Sequence, residues 1–201
     1  MSSALLGGPG HWRWASFANL TWAKSEVISK DMVRRPFIWA AIAAFFLDQT
    51  SKILVYGLIE KGDSVRVIGD VLRFGHVENP AGVFGLSFGP PLVYIVVQLL
   101  VTGLVLWFGL KANSSWLTTA FGMILGGALG NLTDRLRLGR VIDFIDVEIR
   151  PLHFRWFTFN LADAFLVVGI LMVLGFELFS RIRSRRRKSA PTTDRTVQCS
   201  K

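Results

Sequence analysis

The sequence contains two aspartates, Asp143 and Asp163, whose surroundings suggest that their side chains share one site. Asp143 stands between the apolar Ile142 and Phe144, and Asp163 lies at the start of a long apolar run. When two carboxylates share a site their charges repel, so one holds a proton while the other accepts a proton from water. A pair of this kind can hydrolyse a peptide bond without a metal ion. These residues therefore predict an aspartate dyad.

Asp163 alone has a simpler explanation, because a carboxylate in the first turn of a helix caps that helix. The positive end of the helix dipole there favours the ionised form of Asp163, and Asn160 lies three residues earlier on the same side. A cap requires only one such residue, however, and leaves Asp143 without a role. We therefore favour the dyad and expect Asn160 to orient Asp163.

Two further polar clusters interrupt apolar sequence. In LDQTSK, Asp48 and Lys52 are four residues apart, on one helix face, and close enough for an ion pair. A structural ion pair explains them at least as well as catalysis does. In VENPAGVFG, the Asn79 amide could hold a peptide backbone, and a simple turn is the alternative.

The segment GGALGNLTDR combines small and polar residues. Gly122, Gly126 and Gly130 recur at four-residue spacing, which permits close packing of helices. Asn131 and Arg135 share a helix face, so both could point into one pocket between helices. Arg135 could neutralise carboxylates or anchor a helix end, and structural support is the first expectation.

The elements that carry these residues are predicted to be membrane helices. The 201 residues are 51% hydrophobic, with mean hydropathy +0.43 and a formal charge of +9, which is typical of a small integral membrane protein. Several windows of about 17 to 22 residues, roughly the thickness of a bilayer, are apolar on every face. The four windows are Phe37 to Leu58, Leu92 to Leu110, Trp116 to Leu132, and Ala162 to Phe179. We predict an all-α membrane protein with four transmembrane helices.

The charge distribution predicts the orientation of these helices. Six of the eight residues from Arg181 to Lys188 are basic, which marks the cytoplasmic side. Four spans then place both termini in the cytoplasm, in agreement with Arg34 and Arg35 before the first span. The connections 59–91 and 133–161 consequently face outward, and the polar chemistry gathers there. No aromatic residues interleave the basic run, so membrane topology explains it better than nucleic-acid binding does.

The outward connections contain short alternating segments. SVRVIGDVLRFGHV, residues 64–77, predicts a hairpin around an Ile-Gly-Asp turn, and residues 141–157 alternate similarly until Pro151. Open strand edges are not tolerated in hydrocarbon, so these strands should form a small β-containing cap outside the cytoplasm. The predicted organisation is an N-terminal cytoplasmic extension, a membrane domain and a basic cytoplasmic tail, at residues 1–36, 37–180 and 181–201.

Other hydrolytic chemistries fit the sequence poorly. GLSFG, residues 85–89, matches G-x-S-x-G but lacks the strand-turn-helix context and the paired histidine of that motif. Ser51 and Lys52 are adjacent in a helix and point about 100° apart. The three histidines are scattered without ligand spacing, and Cys199 is the single cysteine, so we expect no metal and no other cofactor.

In order along the chain, the motifs are LDQTSK, VENPAGVFG, GALGNLTDR followed by GRVIDF, and FNLAD. Together they resemble the motif series of the lipoprotein signal peptidases, or signal peptidase II, over roughly residues 37–180. The resemblance implies a multi-pass aspartic endopeptidase of the bacterial inner membrane, with its active site near the periplasmic face. Such an enzyme cleaves prolipoproteins just before a cysteine that carries diacylglycerol, and globomycin-type cyclic peptides inhibit it. Its implied partners are diacylglyceryl-modified prolipoproteins and membrane lipids, not nucleic acid.

The resemblance also assigns roles to residues. It places the catalytic pair on Asp143 and Asp163, with Asp134 and Asp146 as neighbours outside the pair. Substrate binding or support falls on the remaining motif residues, which are Asp48, Lys52, Asn79, Asn131, Arg135 and Asn160. Family members usually carry Asn-x-Gly-Ala-Ala-Phe, whereas this chain has Asn-Pro-Ala-Gly-Val-Phe at residues 79–84. That difference concerns the geometry of the loop and not the chemistry.

A membrane transporter is the alternative from another functional class. Asp48, Lys52 and Arg135 could form a proton relay within the membrane, as in a small proton-coupled transporter or channel. Transporters commonly contain internal repeats, and the sequence presents no convincing one. The peptidase is therefore the favoured hypothesis.

Overall fold

The computed structural model describes residues 11–80, 89–149 and 154–189. Four helices occupy most of these ranges, namely α1 (His11–Leu58), α2 (Pro91–Lys111), α3 (Ser115–Leu138) and α4 (Leu161–Ser189). Four strands lie between them, namely β1 (Ser64–Ile68), β2 (Leu72–Asn79), β3 (Val141–Ile149) and β4 (Phe154–Arg155). The sequence GLSFG, the loop from residue 81 to 84, Pro151 and Cys199 lie wholly or mainly outside the described residues.

Three helices in the described part of the chain have segments long and apolar enough to cross a membrane. These segments are Arg34–Leu58, Leu92–Lys111 and Leu161–Arg186. Helix α3 differs in composition, because its glycines and threonines are followed by Asn131, Asp134 and Arg135. The prediction of a mainly helical membrane protein is confirmed at this level.

The helices are longer than the apolar windows that predicted them. Helix α1 begins at His11 instead of Phe37, and α4 continues to Ser189 instead of ending near Phe179. Apolar windows report the part of a helix that suits lipid, whereas backbone hydrogen bonding continues through polar residues, and arginine is a good helix former. Helix α3 runs to Leu138, where Gly139 ends it in the left-handed conformation with φ 71°.

The sheet is a small antiparallel layer beside the helices, with strand order β1-β2-β3-β4. The predicted hairpin is present, since Val65 pairs with Phe74 and the turn between β1 and β2 contains Gly69 at φ 50°. Strand β3 then pairs with β2, which places Asp143 opposite Val77. Val55 from α1 packs with Ile142 and Phe144 from β3, and this buried cluster joins the sheet to the helices.

Helix α3 is the centre of the helical layer, and its glycines allow the neighbouring helices to approach. A side chain at Gly122 or Gly126 would meet the α1 backbone carbonyls of Phe37 or Ala41. On another face of α3, a Cβ at Gly127 would lie 2.5 Å from the Ala162 carbonyl oxygen of α4. The packing role predicted for the glycines of α3 is therefore present in the structure.

The Gly126→Ala substitution is expected to lower the free energy of unfolding by about 1–3 kcal/mol, as is typical of overpacking. The added Cβ would stand 2.7 Å from Ala44 Cβ and 3.0 Å from Phe45 N, so α1 has to move. Gly103→Ala on α2 is the matched control, because no heavy atom lies within 4 Å of its added Cβ. In mild detergent, the midpoint of thermal unfolding should fall clearly for Gly126→Ala and not for Gly103→Ala. Equal midpoints for the two variants would contradict the packing argument.

Candidate active site

Asp143 is buried in β3, and its carboxylate is held by two asparagine amides. Asn160 Nδ2 donates to its Oδ1 at 2.7 Å, and Asn79 Nδ2 donates to its Oδ2 at 2.9 Å. The pKa of Asp143 is raised to about 6, chiefly by burial, which the hydrogen bond from Asn79 opposes and the negative charge of Asp163 reinforces. Asp143 thus keeps its proton to a higher pH than an ordinary aspartate does.

Asp163 lies in the first turn of α4 and takes part in a reciprocal cap with Asn160. The Asp163 N–H donates to Asn160 Oδ1 at 3.0 Å, and the Asn160 N–H donates to Asp163 Oδ2 at 3.3 Å. Its other oxygen, Oδ1, accepts a hydrogen bond from Asn131 Nδ2 at 2.8 Å. Asp163 is therefore a capping residue whose second oxygen faces a polar site between helices. The capping explanation and the dyad are compatible.

Asn160 links the two aspartates. Its Nδ2 atom contacts Asp143 Oδ1 and, at 3.1 Å, Asn131 Oδ1, while its Oδ1 atom caps the Asp163 N–H. The residue is fully buried, so its amide has a single orientation set by these partners. Asp143 from β3, Asn131 from α3 and Asp163 from α4 consequently meet around one side chain.

Asn79 occupies the last position of β2, and an ion-pair cluster fixes the strand beside it. The preceding residue, Glu78, pairs with Lys61 and, at 2.9 Å, with Arg140. Hydrogen bonding to Lys61, with the charge of Arg140 adding to it, lowers the pKa of Glu78. Asn79 pairs with Val141 across the sheet, so its side chain is a diagonal neighbour of Asp143 on the same face.

The predicted ion pair between Asp48 and Lys52 is present, and it belongs to a larger buried network. Lys52 Nζ lies 2.8 Å from Asp48 Oδ2, 2.8 Å from Asp134 Oδ2 and 2.8 Å from Asn131 Oδ1. All three donor positions of the ammonium are therefore used. Gln49 Nε2 adds contacts with Asp48 at 3.2 Å and with Asp134 at 3.1 Å.

This network holds the chain on both sides of the aspartate pair. Asp48 Oδ1 accepts from the backbone N–H of Ala162 at 2.8 Å, one residue before Asp163. Asp134 Oδ2 accepts from the backbone N–H of Ile142 at 3.4 Å, one residue before Asp143. The positions of both candidate catalytic residues thus depend on the same buried charges.

Arg135, half-buried on α3, lies on the α2 side of the site. Its Nη1 donates to Gln98 Oε1 at 2.7 Å and to the Asn131 carbonyl oxygen at 3.4 Å. The guanidinium also interacts electrostatically with Asp163 and Asp143. A positive charge therefore faces the pair of carboxylates.

The structure brings all eight predicted site residues into this one region, and it adds three that the sequence argument did not single out. The sequence argument predicted Asp134 to lie outside the dyad, but it missed the role of Asp134 as a partner of Lys52. Gln49 and Gln98 were also missed, although polar residues in apolar helices are a usable signal. Asp146 is buried but lies three residues from Asp143 along β3, which puts it on the opposite face. Within the described residues, no group of three or more His, Cys, Asp and Glu side chains could hold a metal ion.

Comparison with known proteins identifies the family. Residues 40–179 match the family model described as signal peptidase (SPase) II, which is more than half of the chain. The chain belongs to the signal peptidase II family.

Three lipoprotein signal peptidases illustrate the similarity within this family. The one from Chlorobaculum tepidum is 36% identical over 72% of this chain and 96% of its own length. The one from Moorella thermoacetica is 36% identical over 69% of this chain and 89% of its own length. The one from Syntrophus aciditrophicus is 33% identical over 78% of this chain and 100% of its own length.

Solved structures agree with the fold of this signal peptidase II family member. One, titled as a bacterial membrane enzyme structure by the in meso method at 2.3 Å resolution, has a TM-score of 0.66. It covers 78% of this chain and 93% of its own, at 24% identity, and so supports the fold alone. A second bacterial membrane enzyme structure, determined by the in meso method at 1.9 Å resolution, has a TM-score of 0.64. Its sequence is 26% identical, and the match covers 71% of this chain and 92% of the second structure's chain. The chain therefore has the architecture of a membrane enzyme.

Proposed function

We propose that this membrane peptidase, which removes signal peptides from lipoproteins, uses Asp143 and Asp163 as its catalytic pair. One observation carries the proposal. The two residues come from different elements, β3 and α4, and the buried Asn160 contacts both of them. Its side-chain amide donates to the Asp143 carboxylate and accepts from the Asp163 backbone N–H, and its backbone N–H donates to the Asp163 carboxylate. An aspartate from each of two elements, with different surroundings, is the arrangement that acid–base hydrolysis requires.

The surroundings of the pair suggest how the proton is distributed. Asp163, in the first turn of α4, accepts hydrogen bonds from the Asn160 backbone N–H and from the Asn131 side chain. Asp143, with its pKa raised by burial, holds the proton. Asp163 then removes a proton from water, the water oxygen attacks the scissile carbonyl carbon, and Asp143 donates its proton to the carbonyl oxygen. When the tetrahedral intermediate collapses, Asp163 donates the proton that it took from water to the leaving amine nitrogen and the C–N bond breaks. A hydroxyl group of the intermediate returns its proton to Asp143, which leaves a carboxyl product and both aspartates in their starting forms.

The substrate is a prolipoprotein whose cysteine carries diacylglycerol, and cleavage occurs just before that cysteine. The acyl chains remain in lipid beside the exposed apolar surface of α2, while the peptide reaches the aspartate pair. Each methylene group buried in the bilayer contributes about 0.8 kcal/mol to anchoring the substrate in the membrane. Asn79, Asn131 and Arg135 position the peptide and the carboxylates, and globomycin-type cyclic peptides occupy the same site.

The enzyme is proposed to lie in the bacterial inner membrane with four spans, α3 being the additional one. Helix α3 has 24 residues, which is about 36 Å at 1.5 Å per residue and enough to cross the hydrocarbon core. Helices α1, α2 and α4 all pack against it, so its polar side chains face protein instead of lipid. Residues 37–180 form the membrane domain, with residues 1–36 and 181–201 in the cytoplasm and the aspartate pair near the periplasmic face.

A cleavage assay with two matched substrates tests the proposed function. The purified protein in detergent is offered one prolipoprotein with the diacylglyceryl group on its cysteine and the same prolipoprotein without it. Mass spectrometry is expected to detect a product that begins with the lipid-modified cysteine and no cleavage of the unmodified form. Equal cleavage of both forms, or cleavage at another bond, would contradict the proposed substrate. Membership of a peptidase family favours the peptidase over the transporter.

The proposed proton distribution predicts a pH profile. If Asp143 must be protonated, kcat/KM should be highest below the raised pKa of about 6 and should fall about tenfold for each pH unit well above it. The Asp146→Asn variant is the control, because that residue lies on the opposite face of β3 and should leave the position of the alkaline limb unchanged. A profile with no decline between pH 6 and 9 would contradict the assignment of the proton to Asp143.

A further inference from the structure

Helix α2 is largely apolar and exposed, yet it carries polar side chains at four-residue spacing toward α3. Tyr94, Gln98 and Thr102 are one helical turn apart and therefore share a face. Tyr94 lines a small cavity together with Arg135, and Gln98 contacts α3 directly. The Thr102 hydroxyl is buried and has no hydrogen-bond partner among the described residues. Gln98 joins α2 to the proposed active site through a hydrogen bond with Arg135.

The Gln98 amide is held at both ends. Its Nε2 donates to the Ala128 carbonyl oxygen at 2.7 Å, and its Oε1 accepts from Arg135 Nη1 at 2.7 Å. The reversed amide would set oxygen against the carbonyl and nitrogen against the guanidinium, so only one orientation satisfies both partners. Gln98 therefore presents a fixed acceptor to Arg135.

An arginine side chain can adopt many rotamers. The fixed acceptor on Gln98 restricts Arg135 to rotamers that keep their hydrogen bond. The hydrogen bond to Gln98 is shorter than the 3.4 Å contact with the Asn131 carbonyl, and bonds to charged donors are stronger than neutral ones. The guanidinium held in this way interacts with Asp163 from α4, Asp143 from β3, Asp134 from α3 and Tyr94 from α2. Lys52 from α1 is the other cation that acts on Asp143.

We infer that Gln98 is a positioning residue, which fixes the Arg135 guanidinium beside the aspartate pair and the peptide substrate. The inference rests on the proposed catalytic function of Asp143 and Asp163. It predicts that without Gln98 the guanidinium spreads over several positions. Transition-state stabilisation then weakens, and the positive charge acting on the aspartate pair decreases.

The test compares Gln98→Met, which preserves the length and volume of the side chain, with Thr102→Val one turn later on the same face. Gln98→Met is expected to lower kcat/KM about tenfold, as for loss of one hydrogen bond to a charged group. The alkaline limb of its kcat/KM pH profile should also move to higher pH. With less positive charge nearby, the proton on the aspartate pair is harder to remove. Thr102→Val should change neither quantity. If Gln98→Met does not yield folded protein, Gln98→Asn, which is one methylene too short to reach both partners, is measured instead.

Unchanged kcat/KM and an unchanged alkaline limb in the Gln98 variant would overturn the inference. A lower midpoint of thermal unfolding with normal kinetics would do so as well, because it would reveal a packing role only. Asp143→Asn is measured in the same assay to separate the two claims. If that variant is inactive while the Gln98 variant is normal, the inference alone fails; if Asp143→Asn is active, the proposed function itself fails.

Discussion

The Lys52→Met variant is expected to lose about 3–5 kcal/mol of stability, because removing one partner of a buried ion network leaves uncompensated charge. Lys52 is 2% exposed, and Asp48 and Asp134, each 2.8 Å from its ammonium, are 0% and 3% exposed. Both carboxylates would remain in a site without a cation. The midpoint of thermal or denaturant unfolding in mild detergent measures the loss.

Arg66→Met provides the matched control, since it also removes a cation from an ion pair. The pair between Arg66 and Asp70 is exposed, with an N···O distance of 3.4 Å, so its loss should cost less than about 1 kcal/mol. Neutralising both carboxylates in the Lys52→Met background, by Asp48→Asn and Asp134→Asn, should recover part of the stability. Similar unfolding midpoints for Lys52→Met and Arg66→Met would contradict the account of the network.

The features that the sequence predicted well are those set by local spacing. The ion pair between Asp48 and Lys52 follows from the separation of i and i+4 on a helix, and the β1–β2 hairpin follows from alternation around a turn. The glycines of α3 at four-residue spacing likewise predicted close packing. In each case the residues that interact are near one another in the chain, so their geometry depends on one element or one turn.

The features that the sequence argument missed depend on how the helices pack against one another. Asp134 reaches Lys52 only because α3 lies against α1, and Gln98 reaches Arg135 only because α2 lies against α3. A single polar residue in an apolar helix signals that a partner exists, but it does not identify the partner. The site itself was inferred from residue types and the family resemblance, whereas its hydrogen bonds required the structure.

Replacement of either proposed catalytic aspartate, Asp143 or Asp163, by asparagine is expected to produce the largest functional loss. The change preserves shape but removes the base at residue 163 or the proton donor at residue 143. Loss of one member of such a catalytic group typically lowers kcat by about 10³-fold or more, and losses within one group are not additive. The double variant should therefore be little slower than either single variant. Asp146→Asn, on the opposite face of β3, is the control and should retain most of the activity.

The most direct test of the catalytic pair is a single-turnover measurement with diacylglyceryl-modified prolipoprotein. Wild-type protein, Asp143→Asn, Asp163→Asn, the double variant and Asp146→Asn are compared at equal concentrations of folded protein, with product quantified by mass spectrometry. The proposed mechanism predicts rates reduced about 10³-fold or more in both single variants and a similar rate in the double variant. A rate within about tenfold of wild type for either single variant would contradict the dyad.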